Sequence, residues 1–404
     1  MKIVHQLSVI TLLFVTSVHA QKTYIPDDGF EQRLIDLGHD SGVLDDSVLT
    51  ASINTITSLG LGAAAIVDLT GIEDFTNVKT LDCSSNMLTS LDLSNNLLLE
   101  HLNCKINQLT SIDVSYHSGL KALECAENQL TTLDLTNNIN LKILGCIDNQ
   151  LTSINITNNA LLESILCNSN QLSSLDVSNN TNLEVLGCTS NLLSNIDVSN
   201  NTLLTHFYCS DNEITDIDVS VNSALEVLDS YENQLTSIDL SQNLNLTEFS
   251  CHVNNISNLN LANGNNLNMT RLVTLDNPNL YCIQVDDKDY SIDNWNATSS
   301  IGYFNIDALS GFSEDCSEPI GLEEEEVLKI NVAYPNPTNS SVHLDFVNNG
   351  TYAIYTIRGN EMVQHGHLKP GKNTIPLTPL NSGMYLLKTK ANTGHVSTQK
   401  IIKH

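Results

Sequence analysis

A 21-residue repeat constrains the fold of this chain more than any other feature. The segment LDCSSNMLTSLDLSNNLLLEH, which begins at Leu81, recurs with small changes as LNCKINQLTSIDVSYHSGLKA from Leu102. One column of residues on this period is cysteine, with Ser230 as the exception, and a second column is asparagine throughout. The cysteines are Cys83, Cys104, Cys125, Cys146, Cys167, Cys188, Cys209 and Cys251, and the asparagines run from Asn86 to Asn254. A fixed period near 20 residues predicts a solenoid of stacked coils.

Each period contains two pieces of the form LxLxxN, for example Leu81, Cys83 and Asn86. Apolar residues two apart, followed by Asn, predict a very short strand with one buried face and a turn. No stretch within the period is long enough for a helix. We expect the asparagine side chains to bond the backbone of the adjacent coil, and the leucines to form buried columns. Stability then comes from the stack, because one coil cannot bury its own apolar edge.

The pattern LxxLxCxxNxLTxLDLSxN covers about half of the chain and resembles the short repeats of leucine-rich repeat proteins, a variety common in secreted proteins of the Bacteroidetes. The resemblance implies a mainly β solenoid that recognises a partner, without naming that partner. The laddered cysteines are interpreted as free, buried thiols, since Cys at an inward strand position behaves as a small hydrophobe. A metal site or a stack of disulfides is the alternative.

The first 65 residues lack the repeat. Residues 1–20 have a basic Lys2, a short apolar core and a small-residue cleavage site, which predicts a secretory signal peptide and a mature chain without a membrane-spanning segment. Residues 21–65 are predicted to be a short helical N-terminal cap. Phe30 and Leu34 have helical spacing, with Asp28 as the N-cap and Gly38 as the end, and residues 43–56 are predicted to supply a second short helix. The solenoid is assigned to residues 66–282.

At the end of the array Cys282 breaks the 21-residue register, and Cys316 follows it. In an exported protein these two cysteines are predicted to form a disulfide. The disulfide would close a C-terminal cap, residues 283–320, over the last coil. Residues 321–328 include Glu323, Glu324, Glu325 and Glu326 and are predicted to be an acidic linker.

Composition changes again in residues 329–404, which contain eight Lys or Arg against two acidic residues, a net charge of +6. Because the whole chain has a net charge of -29, the preceding part carries -35. Six or seven short alternating segments predict a small Ig-like β-sandwich. The strongly acidic remainder disfavours binding to nucleic acid or to anionic lipid.

This tail resembles the C-terminal sorting domain of type IX secretion cargo. The resemblance rests on a Tyr-Pro-Asn-Pro turn, on two glycine-containing motifs and on the final lysines, namely Tyr334, Pro335, Asn336, Pro337, Gly359, Gly383, Tyr385, Lys400 and Lys403. It implies interaction with the type IX machinery, passage through the periplasm and outer membrane, and a secreted or cell-surface location. An ordinary adhesion-type sandwich is the alternative.

Outward positions of the second half-repeat barely change between coils, whereas those of the first half-repeat change freely. A scaffold needs the same residue in each coil, but a partner needs different residues in different places. We therefore predict a binding face, the variable strip, formed by His101, Lys105, Ile143, Ile147, Leu166, Val185, His206, Tyr208, Tyr231 and His252. Its middle is expected to be an exposed apolar patch, which marks contact surfaces. The alternative is unconstrained variation on a solvated face.

A column of aspartates on successive coils requires partners that offset the repulsion between its carboxylates. The column comprises Asp92, Asp113, Asp134, Asp176, Asp197, Asp218 and Asp239, with Asn155 interrupting it. Hydroxyl or backbone donors at the turn are the expected partners, and calcium is the alternative, since it prefers oxygen ligands. No other cofactor or metal is expected. The calcium-binding Gly-rich loops of other repeats are absent from the sequence.

Catalytic motifs are also absent, including HExxH, a nucleophile elbow and a phosphate-binding loop. The predicted function is therefore a non-catalytic secreted or surface protein that binds a protein or glycan. Two alternatives remain: an accessory or enzyme of a surface polysaccharide-degrading or peptide-degrading system, and a passive coat protein.

Overall fold

The computed structural model describes residues 20–295, 302–307, 310–317, 333–346, 349–357, 362–391 and 396–404. Nearly all of the predicted signal peptide, the acidic linker and Gly359 lie outside these residues. The chain divides into two compact units, Met1–Pro319 and Ile320–His404. Among the described residues, no helix has the length and apolar character needed to cross a membrane.

The first unit is the predicted solenoid, and the mainly β fold class is confirmed. Its main sheet is parallel, with one three-residue strand from each coil. The strands are Ser58–Gly60, Thr80–Asp82, His101–Asn103, Ala122–Glu124, Ile143–Gly145, Ser164–Leu166, Val185–Gly187, His206–Tyr208, Val227–Asp229, Glu248–Ser250, Arg271–Val273 and Tyr303–Asn305. The sheet therefore extends beyond both ends of the interval 66–282 that the repeat delimits.

The apparent loss of register after Asn254 is a longer coil and not the end of the array. Leu272 pairs with Phe249 and Phe304 pairs with Leu272, so the parallel sheet continues. Asn277 then takes the place of a ladder asparagine, donating to Cys251 O at 2.9 Å. Cys282 belongs to a separate side sheet and not to the cysteine column.

The second half-repeats form strands only late in the array, contrary to the prediction of a strand in every coil. This side sheet contains Ser237–Asp239, Asn258–Asn260, Cys282–Gln284 and Gly311–Ser313. The tripeptide Ser-Ile-Asp is a strand at Ser237–Asp239 but has no strand pairing at Ser111, Ile112 and Asp113. Local sequence therefore does not decide pairing here.

The N-terminal cap combines helix and strand. Helix Asp28–Asp36 is present, but Asp27 and not Asp28 is its N-cap, accepting from Phe30 N at 2.9 Å. The other carboxylate oxygen of Asp27 accepts from Val67 N at 2.8 Å and Asp68 N at 3.1 Å, so the helix start is fixed to the first coil. This double role explains the preference for Asp27.

The prediction of a second helix over residues 43–56 is wrong for most of this segment. Strand Ser47–Leu49 pairs antiparallel with Lys22–Tyr24, and only Thr50–Ile53 is helical. Fully buried Glu31 accepts hydrogen bonds from the backbone N–H groups of Asp45, Asp46 and Ser47. The carboxylate thereby satisfies three donors that a helix would have used internally. The remaining helical segments of this unit are Ile72–Asp74, Asn266–Asn268 and Lys288–Asn294.

Asparagine side chains join the coils through two columns. In the first column, Asn170 Nδ2 lies 3.0 Å from Cys146 O in the preceding coil and 3.1 Å from Cys167 O in its own. Its Oδ1 accepts from Leu151 N at 3.0 Å. The predicted bonding of each Asn to the adjacent coil is thus present.

The second column bonds less completely. Asn180 Nδ2 donates to Ile156 O at 3.3 Å and to Asn159 O at 2.9 Å, while its buried Oδ1 has no hydrogen-bond partner within the described residues. His117 replaces Asn in one coil and contacts Leu93 O through Nε2 at 3.1 Å. The second column therefore donates to backbone carbonyl groups, while the Oδ1 atoms of its asparagines accept no hydrogen bond within the described residues.

The eight cysteines of the column are free and buried, and Cys282 and Cys316 form the predicted disulfide. Burial raises the pKa of the thiols, that of Cys83 to about 12. Thiols so protonated and enclosed are poor nucleophiles, and their role here is to pack.

The second unit is a small β-sandwich, as predicted. A two-stranded sheet contains Ser341–Phe346 and Gly371–Pro376, and a four-stranded sheet contains Met362–Leu368, Gly350–Thr356, Gly383–Ala391 and Val396–Lys403. Val342, Leu344 and Ile375 from the first sheet and Ile354, Leu387 and Ile401 from the second share one core.

We predict that the two asparagine columns differ in energetic weight. Asn170→Ala should lower the free energy of unfolding by about 2–4 kcal/mol, because it orphans buried donors and acceptors in two coils. Asn180→Ala should cost about 1–2 kcal/mol, since only carbonyl groups lose partners. Urea denaturation of both variants, which differ from wild type in the same pair of coils, measures this. Equal losses of unfolding free energy in the two variants would contradict the predicted difference between the columns.

A second prediction concerns the thiols. Without reductant, the native protein should show no fast reaction with an aromatic disulfide reagent, and the denatured protein should expose eight thiols. Reduction before denaturation should release all 10 cysteines. Rapid labelling of any ladder cysteine in the native protein would contradict the buried arrangement.

Candidate binding face

The variable strip lies along the main sheet in three rows. His101, Ile143, Val185 and His206 occupy the first positions of their strands, and Leu166 and Tyr208 occupy third positions. Lys105, Ile147, Tyr231 and His252 each follow a strand by two residues. The parallel register aligns these positions from coil to coil, for example Ile143 with Ser164 and Ser164 with Val185.

The predicted apolar patch is only partly exposed. Ile143 is 41% exposed, whereas Ile147, Leu166 and Val185 are half-buried. Gly145 and Gly187 flank Leu166 in its row, through the pairs Gly145 with Leu166 and Leu166 with Gly187. A Cβ on Gly187 would lie 2.9 Å from Leu166 Cδ2, so the missing side chain lets Leu166 lie flat across the sheet. The patch is therefore a shallow apolar surface.

A cluster of aromatic and charged side chains follows the patch. The rings of Tyr231 and His252 stack with centroids 4.4 Å apart, and those of His206 and Tyr208 are 6.1 Å apart. Ser250 Oγ lies 2.9 Å from His252 Nδ1, which fixes one edge of that imidazole. Burial raises the pKa of Tyr208, and nearby Asp229 adds to the effect.

Arg271 is a member of this cluster that the sequence analysis missed. Its guanidinium contacts Asp229, and its Nε lies 3.1 Å from Glu248 Oε2. Burial raises the pKa of Asp229, while Arg271 opposes that shift. Arg271 follows Glu248 in the same row by 23 positions, so the 21-residue period conceals it. Continuing the apolar pattern through the longer coil to Leu272 would have revealed it.

The aspartate column is compensated by the backbone of its own turn. Asp176 Oδ1 accepts from Ser178 N at 3.0 Å, and the same bond recurs in the other coils of the column. Asn155 replaces one carboxylate and accepts from Thr157 N at 3.2 Å. Bonds from the Ser178 hydroxyl and N–H hold the pKa of Asp176 below its usual value. In the described parts of the chain, no group of three or more His, Cys, Asp or Glu side chains is arranged to hold a metal ion.

The sorting-motif residues of the second unit converge on the last strand. Asn336 Oδ1 accepts from Ile402 N at 2.8 Å, and its Nδ2 donates to Lys400 O at 2.6 Å. Thr338 N donates to Ile402 O at 2.9 Å. The Tyr334 to Pro337 turn, with Pro335 at its centre, is therefore tied to the chain end through Asn336. These bonds extend the edge of the sheet beyond Val396–Lys403.

Two further motif residues, Gly383 and Tyr385, lie at the same end of this sheet, on the strand that pairs with Val396–Lys403. Gly383 pairs with Lys403, whose ammonium contacts Leu380 O. The Tyr385 hydroxyl donates to Asn381 O at 2.9 Å, closing the turn before Gly383–Ala391. The structure thus gives these residues roles in holding the terminal strands together.

Comparison with known proteins agrees with this two-part architecture. Residues 332–404 match the family model of the secretion system C-terminal sorting domain. The chain is thus a leucine-rich repeat solenoid that ends in a type IX sorting domain. This domain indicates type IX secretion and an extracellular or cell-surface location.

Two solved structures share the fold. The functional domain of InlJ from Listeria monocytogenes, described as including a cysteine ladder, is similar over 95% of this chain and 99% of that chain, with 23% identity and a TM-score of 0.57. The internalin InlF from Listeria monocytogenes is similar over 73% of this chain and 97% of that chain, with 20% identity and a TM-score of 0.60. A sequence comparison with curated proteins finds no match.

The aspartate turns predict a defined acid sensitivity. A pKa that is lowered on folding contributes stability above the unfolded value, near 3.8, and this contribution is lost as pH falls through the folded value. The double change Asp134→Asn and Asp176→Asn should reduce the fall in Tm between pH 5 and pH 2.5. The reciprocal Asn155→Asp variant should steepen that fall.

Thermal melts of the three proteins across this range measure the effect. At pH 7 the double variant should remain folded, because the asparagine at 155 already makes the same turn bond. An identical fall in Tm for all three proteins would refute the contribution of the aspartate column.

Proposed function

We propose that this protein is a non-catalytic, secreted or surface-displayed binding protein whose variable strip recognises a protein partner. The proposal rests on a contrast within the main sheet. The scaffold positions repeat the same residue in each coil, whereas the three rows of the variable strip change from coil to coil. The asparagine and leucine columns repeat in coil after coil, while the strip presents a shallow apolar patch beside stacked aromatic rings. Such neighbouring apolar and aromatic surface is typical of the centre of a protein interface.

Charge around the strip favours a partner with basic residues. No Lys or Arg occurs from residue 143 to residue 270. Lys79 and Lys121 are both paired with Glu100, and Lys142 is paired with Glu163. Near the aromatic cluster, Glu184, Glu226 and Glu232 are exposed, without an ion pair inside the described residues. Complementary basic charge on a partner would accelerate association and make it dependent on salt.

Export is proposed to begin at the signal peptide of residues 1–20 and to end with type IX secretion through residues 329–404. Asn336, Lys400 and Lys403 are proposed to act in this step by keeping the terminal strands of the sorting domain in place. The calcium alternative for the aspartate column is disfavoured by the turn bonds that already use a carboxylate oxygen.

The decisive test is binding of the full secreted chain to immobilised extracellular-matrix proteins and to a glycan panel. Ile143→Ser with Leu166→Ser should remove the apolar patch, and Tyr208→Ser with Tyr231→Ser should remove the aromatic cluster. Each pair should weaken saturable protein binding by about tenfold or more, because interface centres concentrate the binding energy.

A matched control removes exposed apolar residues elsewhere on the solenoid. Ile139 and Leu203 are 55% and 49% exposed and lie on a turn outside the strip, so Ile139→Ser with Leu203→Ser should bind as wild type. Circular dichroism verifies that all variants remain folded. Unchanged binding in both strip variants would refute the strip, binding to glycans alone would refute a protein partner, and the absence of saturable binding would indicate a coat protein.

A further inference from the structure

The outer face of the four-stranded sheet in the sorting domain carries a regular arrangement of basic side chains. Ile354 and Leu387 point into the sandwich core, so Ala353 and Lys388 lie on the opposite face. Ala353 pairs with His365 on one side and with Lys388 on the other. Two residues along, Thr351 pairs with His367 and with Lys390. The sheet therefore presents two successive rungs, each of which is histidine, small residue and lysine.

These rungs enclose a shallow trough. A cavity of about 320 Å³ lies over them, with Thr351 and Ala353 as its floor and Tyr355 and Met362 at one end. The small floor residues leave the space between the histidine row and the lysine row open. With neighbouring strands about 4.8 Å apart, the two rows stand roughly 10 Å from each other. That width admits a single extended chain but not a helix, whose diameter is about 10–12 Å.

Lys388 and Lys390 make the trough cationic, and no described acidic side chain faces them. No acidic side chain is among its described lining residues, and neither Lys388 nor Lys390 has an ion pair within the described part of the sandwich. In the described residues from 333 to 404, Asp345 is the sole acidic side chain, and it lies on Ser341–Phe346 of the other sheet. Charge of this density on one face is complementary to an anionic ligand.

We propose that this trough binds an extended acidic peptide segment of a partner protein. Residues two apart on a strand are about 6.8 Å apart, so the basic rungs have that spacing. Carboxylates at alternate positions of an extended peptide recur at the same interval, which lets successive Asp or Glu side chains meet successive lysines. A single small anion would not reach both rows. The proposed site differs in place and in partner chemistry from the variable strip of the solenoid.

Fluorescence anisotropy of the whole chain, with the sorting domain still attached, and a labelled peptide of four Glu-Ser repeats tests the proposal at low salt. Saturable binding should weaken roughly tenfold in the double variant Lys388→Gln and Lys390→Gln. The matched control, Lys369→Gln with Lys372→Gln, removes the same charge from exposed positions outside the trough and should change affinity by less than about twofold. A Gln-Ser peptide of equal length should not bind wild type.

A second variant separates shape from charge. Ala353→Tyr fills the floor without altering the net charge, and it should abolish most binding while the sheet remains folded, since Tyr is well suited to strands. The proposal would be overturned if wild type did not bind the Glu-Ser peptide, or if both lysine pairs weakened binding equally. Undiminished binding to the Ala353→Tyr variant would do the same. Tighter trough-dependent binding of an inorganic polyphosphate of equal charge would also overturn it, by assigning the trough to a phosphate polymer.

Discussion

Hydrogen bonds from asparagine side chains to the neighbouring coil are the interaction on which the solenoid depends. Coils this short have three-residue strands, so much of their backbone lacks a partner within the sheet. The first asparagine column supplies that partner, and it requires the preceding residue to take a left-handed conformation. Ten successive coils show this, with φ of 57° at Ile106 and 56° at Val253. A β-branched residue in that region costs roughly 1–2 kcal/mol, so the several hydrogen bonds of the adjacent Asn outweigh the local preference.

Because the scaffold is maintained by inward and turn positions, the outward strand positions are free to vary. Gly145 and Gly187 illustrate the result, since glycine weakens most strands yet these two remain within a continuous parallel sheet. Coil stacking on both sides holds their backbone in place. Their neighbours Glu124 and Leu166 occupy the released space. The surface can therefore be reshaped at individual coils without an energetic penalty that spreads along the stack.

The parts of the structure that repeat were predictable from sequence, and the parts that depend on single contacts were not. The leucine, cysteine and asparagine columns follow from periodicity, and the alternating segments of the tail predicted its six described strands closely. The structure of residues 43–56 in the cap was predicted wrongly because of one buried side chain. The Glu31 carboxylate accepts from the backbone N–H groups of residues 45–47, which a helix would have paired internally. The role of Arg271 was not predicted, because its coil has 23 residues and the 21-residue period therefore does not align Arg271 with Glu248. Arg271 lies two coils from Asp229 in the main sheet.

The division of charge between the two units follows the same separation of scaffold from surface. In the solenoid, each repeated Asp is used by its own turn, so a large negative charge accumulates as a by-product of repeating one motif. The sandwich has no such motif and can be basic, since its strands are held by ladder bonds and by Asn336 at the chain end. Lys388 and Lys390 make no ion pair within the described residues that would require them for folding. Their alignment in two rungs over small residues then calls for an explanation outside the fold, and recognition of an anionic chain provides one.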